Sequence, residues 1–252
     1  MNPKIALVTG GSRGLGKSTV VNLARKGVDS IFTYISREDD ANQVIAEVEE
    51  SGGKAVALRL DVGNVSEFRD FSTRVKETLQ SSWQLRSFDF LVNNAGIGVH
   101  ELFADTTEDQ FDLLMNLHFK GVFFLTQTLL PLINDGGRIV NMSSGLVRFS
   151  LPGYSAYASM KGAVEVLTRY LAKELGPRRI SVNTVAPGAI ETDFGGGAVR
   201  DNEQLNQMIA SQTALGRVGL PDDIGGMIAL LLSEENRWIN GQRIEVSGGM
   251  FL

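Results

Sequence analysis

Short apolar runs alternate with amphipathic stretches along most of the chain. The first run is followed by Leu15, Thr19 and Leu23 at helical spacing, and later runs are followed by similar stretches. Strands that are continuous apolar runs, each separated from the next by a helix, are typical of a parallel sheet covered on both faces. The pattern predicts strands at residues 4–9, 30–34, 55–60, 88–93, 138–142, 180–185 and 243–246.

Helices are predicted between these strands. The second helix has a capping-box-like start at Ser36. The predicted fold class is α/β, a single-domain Rossmann-type doubly wound fold with a mostly parallel seven-stranded sheet and helices on both faces. The predicted helical segments are residues 15–26, 36–51, 66–80, 107–130 and 155–175, with a further helix that begins at Pro221.

The chain is expected to form one domain over residues 1–252, because a chain of this length can bury one large core. The regular alternation stops after Pro187-Gly188. Residues 190–217 contain three consecutive glycines, several polar residues and one modest helical pattern. A long insertion after the carboxyl end of a strand is usually a substrate lid or a disordered loop. We favour a substrate lid at about 190–217.

Composition and charge narrow the classes of function. The chain is 43% hydrophobic and 21% charged, as is usual for a globular protein. A net charge of −5, with no run of Lys or Arg, argues against a nucleic-acid partner. Cysteine is absent, and His100 and His118 lie far apart, so no metal site is expected. No leader and no apolar segment of membrane-spanning length is recognisable, which predicts a cytoplasmic protein without a membrane partner.

Tyr157 and Lys161 are the first candidate for chemistry. Residues four apart share one face of a helix, so the phenol and the ammonium can act together. A free tyrosine is a poor acid at neutral pH, but a nearby cation favours the phenolate and lowers the pKa of the phenol. The pair is therefore a candidate proton donor. Taken alone, the same spacing also fits an amphipathic surface pair.

A glycine turn follows the first predicted strand. Gly10, Gly14 and Gly16 place small residues where the chain passes from strand to helix, and a diphosphate can approach backbone amides there. The same segment also satisfies the P-loop pattern, with Lys17 and Ser18 where a nucleoside triphosphate and magnesium would require them. A turn with a purely structural role is the third interpretation. This segment alone leaves all three open.

The chain contains Thr9-Gly10-x-x-x-Gly14-x-Gly16, Asn93-Asn-Ala-Gly96, Ser144, Tyr157-x-x-x-Lys161 and Pro187-Gly188. In order and spacing, over essentially the whole chain, these motifs resemble those of the short-chain dehydrogenases/reductases. A P-loop enzyme would instead need an apolar strand ending in a magnesium-binding aspartate. Within the family the chain is most similar to the 3-oxoacyl-carrier-protein reductase and carbonyl reductase branch.

The resemblance implies four catalytic residues. Tyr157 would protonate a carbonyl oxygen as hydride arrives from the nicotinamide, and Lys161 would lower the tyrosine's pKa and bind the nicotinamide ribose. Ser144 would orient the carbonyl and stabilise charge on its oxygen. Residue chemistry alone does not separate it from Ser143. Asn116 matches the asparagine that holds a water linking the lysine to solvent, although a helix asparagine can equally make a local backbone bond.

The resemblance also implies that NADP(H) is preferred to NAD(H). A site selective for NAD usually has an acid after the second strand, whereas this strand leads into Ser36 and Arg37. Arg37 and Arg13 lie where NADP-dependent members place cations against the 2′-phosphate. Asp61 would read the adenine amino group, although an aspartate ending a strand is often a turn former. The implied cofactor-binding residues are Gly10, Ser12, Arg13, Gly14, Leu15, Gly16, Ser36, Arg37, Asp61, Val62, Asn93, Ala95, Gly96, Tyr157, Lys161, Pro187, Gly188, Ile190 and Thr192.

These residues predict an NADP(H)-dependent oxidoreductase that reduces a ketone to a secondary alcohol, with His100 as a candidate border of the substrate pocket. An NAD-dependent alcohol or sugar-alcohol dehydrogenase acting oxidatively is the main alternative. A non-catalytic nucleotide-binding regulator and a P-loop NTPase are remote alternatives. The predicted helix around Tyr157 has a second apolar stripe that contains Val166 and Tyr170, which suggests helix–helix association, and the resemblance suggests a homotetramer.

Overall fold

Seven strands of the computed structural model, which describes residues 3–252, form one sheet. The strand order is 3-2-1-4-5-6-7, and every neighbouring pair is parallel, so the prediction of a mostly parallel sheet is confirmed and extended. The strands are β1 (Lys4–Val8), β2 (Val28–Tyr34), β3 (Ala55–Arg59), β4 (Phe88–Asn93), β5 (Ile133–Met142), β6 (Ser181–Pro187) and β7 (Arg243–Val246).

Helices cover both faces of the sheet. They are α1 (Gly14–Ala24), α2 (Glu38–Glu50), α3 (Phe68–Trp83), α4 (Glu108–Met115), α5 (Gly121–Leu129), α6 (Ser155–Glu174), α7 (Ala198–Asp201), α8 (Glu203–Ser211) and α9 (Pro221–Leu231). Alternate residues of a strand point to opposite faces. In β1, Ile5 and Leu7 enter the apolar cluster that contains residues of α3 and α5, whereas Ala6 and Val8 enter the cluster that contains residues of α1, α2 and α9.

Three predicted boundaries are corrected. The capping box predicted at Ser36 is wrong, because α2 begins at Glu38 with Arg37 at its N-cap and no side-chain capping bond. β5 begins at Ile133, five residues earlier than predicted, since an irregular stretch around Gly136 still pairs with β4. The single helix predicted at residues 107–130 is divided by a π-helical turn, Asn116–Lys120.

The π-helical turn lies at the residue implied to be catalytic. The amide of Gly121 donates to the carbonyl of Asn116, five residues earlier, instead of to the residue four earlier. A side chain on Gly121 would collide with the backbone oxygen of Val62, so a glycine is needed at this close approach. π turns are rare and often occur at functional sites. This one packs against α6, the helix that carries Tyr157.

The carboxyl ends of the parallel strands meet at one edge of the sheet. The order reverses between β1 and β4, and ligands of open α/β sheets bind in the crevice at such a point. The segment after β6 crosses this edge. It contains a short turn at Phe194–Gly197, followed by α7 and α8.

Candidate active site

The glycine turn after β1 is closely packed, and its conformation requires glycine. Gly14 has a φ of +53°, a left-handed conformation that favours glycine. A Cβ on Gly16 would lie 2.0 Å from the carbonyl oxygen of Gly10, so no other residue fits there. Asn94 fastens the turn by donating from Nδ2 to the carbonyl of Thr9 at 2.8 Å. The close turn leads directly into the N-terminus of α1, which begins at Gly14, and a helix N-terminus of this kind can bind a diphosphate.

The two P-loop candidates point away from this turn. Lys17 Nζ pairs with Glu47 on α2 at 2.9 Å. The hydroxyl of Ser18 is buried against α9 and donates to Asp222 at 2.5 Å. Both side chains have structural partners on neighbouring helices, so neither is placed to bind a γ-phosphate or magnesium.

Tyr157 and Lys161 lie buried one turn apart on α6, at the end of β5. The phenol is 7% exposed and Lys161 is 4% exposed. Lys161 Nζ donates to the carbonyl of Met142 at 2.8 Å and lies 5.6 Å from the centroid of the Tyr157 ring. The strand end thus fixes the lysine, and the helix fixes the tyrosine beside it.

Burial is the dominant influence on the pKa of Tyr157 in this structure, and the lowering of that pKa by Lys161 stays a prediction. Burial raises the pKa of the Tyr157 phenol well above its usual value, and a hydrogen bond with the Ser144 side chain opposes that rise. Burial also lowers the pKa of Lys161 from 10.5 to about 7. The ammonium is bound to a carbonyl and is easily deprotonated, so Lys161 can give up and take up a proton near neutral pH.

The two neighbouring serines have different surroundings. The hydroxyl of Ser143 is buried and donates to Glu165 Oε1 at 2.6 Å. Ser144 faces the Tyr157 phenol, and Arg243 donates to its backbone carbonyl at 3.2 Å. Arg243 also pairs with Glu165 at 2.7 Å, so one ion pair holds both serines. The structure therefore distinguishes Ser144 from Ser143, which residue chemistry left open.

His118 is a site residue that sequence reasoning missed. It is fully buried in the π-helical turn, and its ring meets the ring of Tyr157 edge to face at 5.1 Å. Nε2 lies 2.9 Å from the carbonyl of Ile97 and 3.4 Å from its amide nitrogen, and Nδ1 has no partner among residues 3–252. A side chain on Gly96 would collide with this ring.

Burial and the charge of Lys161 lower the pKa of His118 to about 2. The imidazole is neutral at any ordinary pH, so Lys161 is the basic group that can carry a proton beside Tyr157. A lone histidine on a predicted helix gives no signal of this role. The only hint in the sequence is Gly96, whose missing side chain makes the space for the ring.

The asparagines after β4 divide between structure and site. Asn93 Nδ2 donates to Thr126 at 3.0 Å and to Asn141 at 2.8 Å, inside the protein. Its side chain is thus occupied, and only its backbone is available to a cofactor. Asn94, which the resemblance did not single out, contacts the glycine turn. Asp61 accepts the amide of Gly63 at 2.8 Å, the turn-forming role that its type predicts, and it still lies just past the end of β3.

The remaining cofactor candidates lie along the same edge. Thr192 lies against Gly14, since a Cβ on that glycine would be 3.5 Å from the Thr192 methyl group. Ile190 pairs with Gly219, and the amide of Gly188 donates to Val246 at 3.1 Å. The beginning of the segment after β6 is therefore fastened to the sheet and contacts the glycine turn through Thr192. The rest are Ser12, Leu15, Ser36, Val62, Ala95 and Pro187, which lie in or next to the loops at the strand ends.

Arg13 and Arg37 converge on one carboxylate of this segment. Arg13 lies 3.2 Å from Asp193, and Arg37 lies 3.7 Å from the same oxygen. Their guanidinium groups come from the glycine turn and from the end of β2, as expected for a pair that reads a 2′-phosphate. Arg200 binds the other oxygen of Asp193 at 2.6 Å.

Aromatic side chains surround the exposed side of Tyr157. The ring centroid of Phe194 lies 5.7 Å from that of Tyr157, so the segment at residues 190–217 contacts this tyrosine. His100, the candidate border residue, packs edge to face against Tyr154 at 5.0 Å. Tyr154 belongs to the same apolar cluster as Tyr157. A substrate that reaches the phenol therefore meets aromatic surfaces.

Residues 3–252 contain neither a membrane-spanning helix nor a cluster of metal ligands. None of the helices described is long and apolar enough to cross a membrane. Over the same residues, no group of three or more His, Cys, Asp or Glu side chains could hold a metal ion.

Comparisons with known proteins agree with this geometry. The profile of a protein family described as enoyl-(acyl carrier protein) reductase matches residues 10–251. The hydroxynaphthalene reductase-like protein Arp2 of Metarhizium majus is 37% identical over 257 aligned positions, covering 98% of this chain and 94% of that protein.

Solved structures are also similar over nearly the full length. The reductase LugOII, described as promiscuous and as catalysing keto-reduction at C1 during lugdunomycin biosynthesis, superimposes with a TM-score of 0.94 at 38% identity, covering 99% of this chain and 98% of that one. The angucycline C-6 ketoreductase LanV, with bound NADP, superimposes with a TM-score of 0.93 at 34% identity, covering 98% and 95%.

Proposed function

The chain belongs to the short-chain dehydrogenase/reductase family, and from that premise we propose that it reduces a ketone to a secondary alcohol with NADPH. The observation that carries this proposal is the buried group of Ser144, Tyr157 and Lys161 at the strand edge beside the glycine turn. A protein that only binds nucleotide has no use for a phenol with an adjacent proton carrier. The non-catalytic alternative is therefore disfavoured.

The chain's own residues supply orientation and a proton. NADPH, when bound at the glycine turn, supplies the hydride to the carbonyl carbon. Ser144 orients the carbonyl oxygen, and Tyr157 Oη donates the proton to it as the C–H bond forms. The resulting phenolate is reprotonated from the side of Lys161, whose pKa of about 7 suits proton transfer near neutral pH. His118 stays neutral beside them, so it does not compete with Lys161 for the proton.

NADPH is the preferred cofactor. Arg13 and Arg37 approach each other closely enough to share one carboxylate, so they can also share one phosphate. Residues 35 and 36, between the end of β2 and Arg37, include no acid that could bind a free ribose hydroxyl. The structural relative LanV binds NADP, which agrees with this preference.

The substrate we propose is a cyclic aromatic ketone. Phe194 and Tyr154 present ring faces and edges near the phenol, and aromatic pairs of this kind stabilise planar ligands beyond their buried area. The relatives named above as a hydroxynaphthalene reductase-like protein and an angucycline ketoreductase act, by their names, on fused aromatic rings. The similarity to 3-oxoacyl-carrier-protein reductases stays a prediction.

An absorbance assay tests both parts of the proposal. The purified protein is mixed with NADPH or NADH and with either tetralone-type bicyclic ketones or short β-ketoacyl thioesters. We expect consumption of NADPH with the bicyclic ketones. Faster turnover of the thioesters would overturn the substrate assignment. Oxidation of secondary alcohols with NAD, without the reverse reaction, would favour the oxidative alternative instead.

We also propose that the protein is a homotetramer. Val166 and Tyr170 on α6 are 46% and 65% exposed, and Phe123 and Phe124 on α5 are 38% exposed each. These four exposed side chains lie on two helices that contribute to the same apolar core cluster, and a second copy of the chain could cover them. Light scattering that gives a monomer at micromolar concentration would contradict this assembly.

Three further predictions belong with this function. The segment at about 190–217 acts as the substrate lid, an idea that the contact between Phe194 and Tyr157 supports. The whole chain, residues 1–252, works as one domain. The cytoplasmic location predicted from the sequence stays a prediction.

A further inference from the structure

One lid carboxylate, Asp193, has three arginines around it. Its Oδ2 lies 3.2 Å from Arg13 and 3.7 Å from Arg37. Its Oδ1 lies 2.6 Å from Arg200, which is on the lid itself. The two oxygens thus have different partners. Oδ2 lies next to Arg13 and Arg37 at the cofactor edge, and Oδ1 binds Arg200 within the lid.

Asp193 is charged where it sits. Hydrogen bonding to Arg200 and the charge of Arg13 hold the pKa of its carboxyl below the usual range. A 2′-phosphate carries nearly two negative charges at neutral pH. If that phosphate binds Arg13 and Arg37, it takes the place that Asp193 Oδ2 has against them. A carboxylate and a phosphate so close together repel each other, so both cannot pair fully with the same two guanidinium groups.

We propose that Asp193 determines cofactor specificity by competing with the 2′-phosphate for Arg13 and Arg37. The inference rests on the proposed NADPH-dependent function. A cofactor without the phosphate leaves the contacts between Asp193 and the arginines in place, whereas a cofactor with it must displace them. Arg200 provides the alternative partner, because it holds the other oxygen of Asp193 while the arginine pair is released. The lid therefore reduces the selectivity that the two arginines would otherwise give.

The test uses ligands without a nicotinamide, so that the readout does not depend on turnover. Binding of 2′,5′-ADP and of 5′-AMP is measured by calorimetry for the wild type and for Asp193→Asn, which keeps the size of the side chain. We expect 2′,5′-ADP to bind about 3- to 10-fold more tightly to the variant and 5′-AMP to bind equally well. Because these groups are half exposed, the gain should shrink as salt is added.

Asp201→Asn is the matched control. Asp201 lies on the same lid and binds Arg200 at 2.7 and 2.8 Å, and in the structure it contacts neither Arg13 nor Arg37. It makes the same change in net charge and should alter 2′,5′-ADP binding by less than about twofold. Arg200→Ala should act in the opposite direction to Asp193→Asn. Without Arg200, Asp193 has only the arginine pair to bind, so the affinity for 2′,5′-ADP should fall.

The outcomes separate this inference from the function on which it rests. Unchanged or weaker 2′,5′-ADP binding by Asp193→Asn, or an equal gain in Asp201→Asn, would overturn the competition. A rise in affinity for Arg200→Ala would overturn it too. If any of these results is obtained and Arg37→Ala still loses 2′,5′-ADP binding, the inference about Asp193 fails but the preference for NADPH stands. A wild type that binds 2′,5′-ADP and 5′-AMP equally would overturn both.

Discussion

The two ends of the candidate site work by opposite means. At the catalytic end, Tyr157, Lys161 and His118 are buried, and desolvation is the first cause of the pKa shift of each. At the phosphate end, Arg13 and Asp193 are a third to a half exposed and act through charges that water screens. Desolvated groups are strongly coupled, while exposed ion pairs contribute little each. Changes at the catalytic end should therefore be large and insensitive to salt, and changes at the phosphate end small and salt-dependent.

The largest effect is expected from Tyr157→Phe. The substitution keeps the ring and its contacts with His118 and Phe194 and removes only the proton donor. Turnover should fall by about 10²–10⁴, while the affinity for NADPH changes little. Steady-state kinetics and a cofactor titration measure the two quantities. Tyr154→Phe, three residues earlier, is the matched control and should keep turnover within about threefold. A Tyr157→Phe variant with more than about a tenth of wild-type turnover would contradict the assignment.

The neighbouring serines give the next effect. Ser144→Ala removes the donor that faces the phenol, so kcat should fall by about 10²–10³. Ser143→Ala instead takes a hydrogen bond from the buried carboxylate of Glu165 and should lower the free energy of unfolding by about 1–3 kcal/mol.

Kinetics and urea unfolding of both serine variants check this division. Two results would contradict the roles given to the serines: a Ser143→Ala variant that loses as much kcat as Ser144→Ala, or a Ser144→Ala variant whose only defect is stability.

Much of the fold could be predicted from the sequence, and the reason is local. A buried parallel strand needs a continuous apolar run, and such a run predicts β4 with both ends correct. The prediction of β7 had less support, because that strand alternates polar and apolar residues and is only partly buried. The π-helical turn at Asn116–Lys120 could not be found this way. The apolar spacing of the stretch continues across it, and its cause is the close approach of Gly121 to Val62, which is a tertiary contact.

The parts of the site that depend on a local backbone motif could be predicted from the sequence. The parts that depend on side-chain contacts between distant segments could not. The glycine turn and the tyrosine–lysine pair are of the first kind. The bond from Lys161 to the Met142 carbonyl, the burial of His118 and the contact of Asp193 with Arg13 are of the second kind. Each joins segments far apart in the chain, so residue spacing gives no information about it.

His118 gives a pH prediction for the buried end. Its pKa is about 2 in the folded chain and ordinarily 6.5, so below pH 6.5 the unfolded state binds a proton that the folded state does not. Above pH 6.5 His118 is neutral in both states, and its titration does not reduce the stability of the folded chain. As the pH falls from 6.5 toward 2, protonation of His118 in the unfolded state progressively lowers the free energy of unfolding. The free energy of unfolding should decrease by up to about 1.4 kcal/mol per pH unit from this residue.

Urea unfolding of the wild type and of His118→Phe at pH 7, 6 and 5 measures that slope. The phenylalanine variant should start less stable, because the bond to the Ile97 carbonyl is lost, and should then lose stability less steeply. Equal slopes for wild type and His118→Phe would show that His118 is not the group that binds the proton on unfolding.

The smallest effect is expected at the phosphate end. Arg37→Ala removes a half-exposed cation, so NADPH should bind about tenfold more weakly, while NADH binding hardly moves. The difference in NADPH affinity between the wild type and Arg37→Ala should diminish at high salt. Salt weakens interactions between exposed charges, with a screening length of about 10 Å at moderate ionic strength. Arg13→Ala should behave alike. Titrations with both cofactors at two salt concentrations measure this.

Lys17→Ala is the control that sharpens the contrast between the two ends. Lys17 is on α1 next to the glycine turn and is 40% exposed, much as Arg13 is, but its ammonium pairs with Glu47 on the neighbouring helix. If proximity to the glycine turn were sufficient, removing the Lys17 side chain would weaken NADPH binding as much as Arg37→Ala does. We expect instead an unchanged affinity for both cofactors, because an exposed pair of this kind contributes at most about 1 kcal/mol and only to the packing of α1 on α2. Two results would show that other residues bind the 2′-phosphate: a selective loss of NADPH affinity in Lys17→Ala, or equal losses of NADPH and NADH affinity in Arg37→Ala.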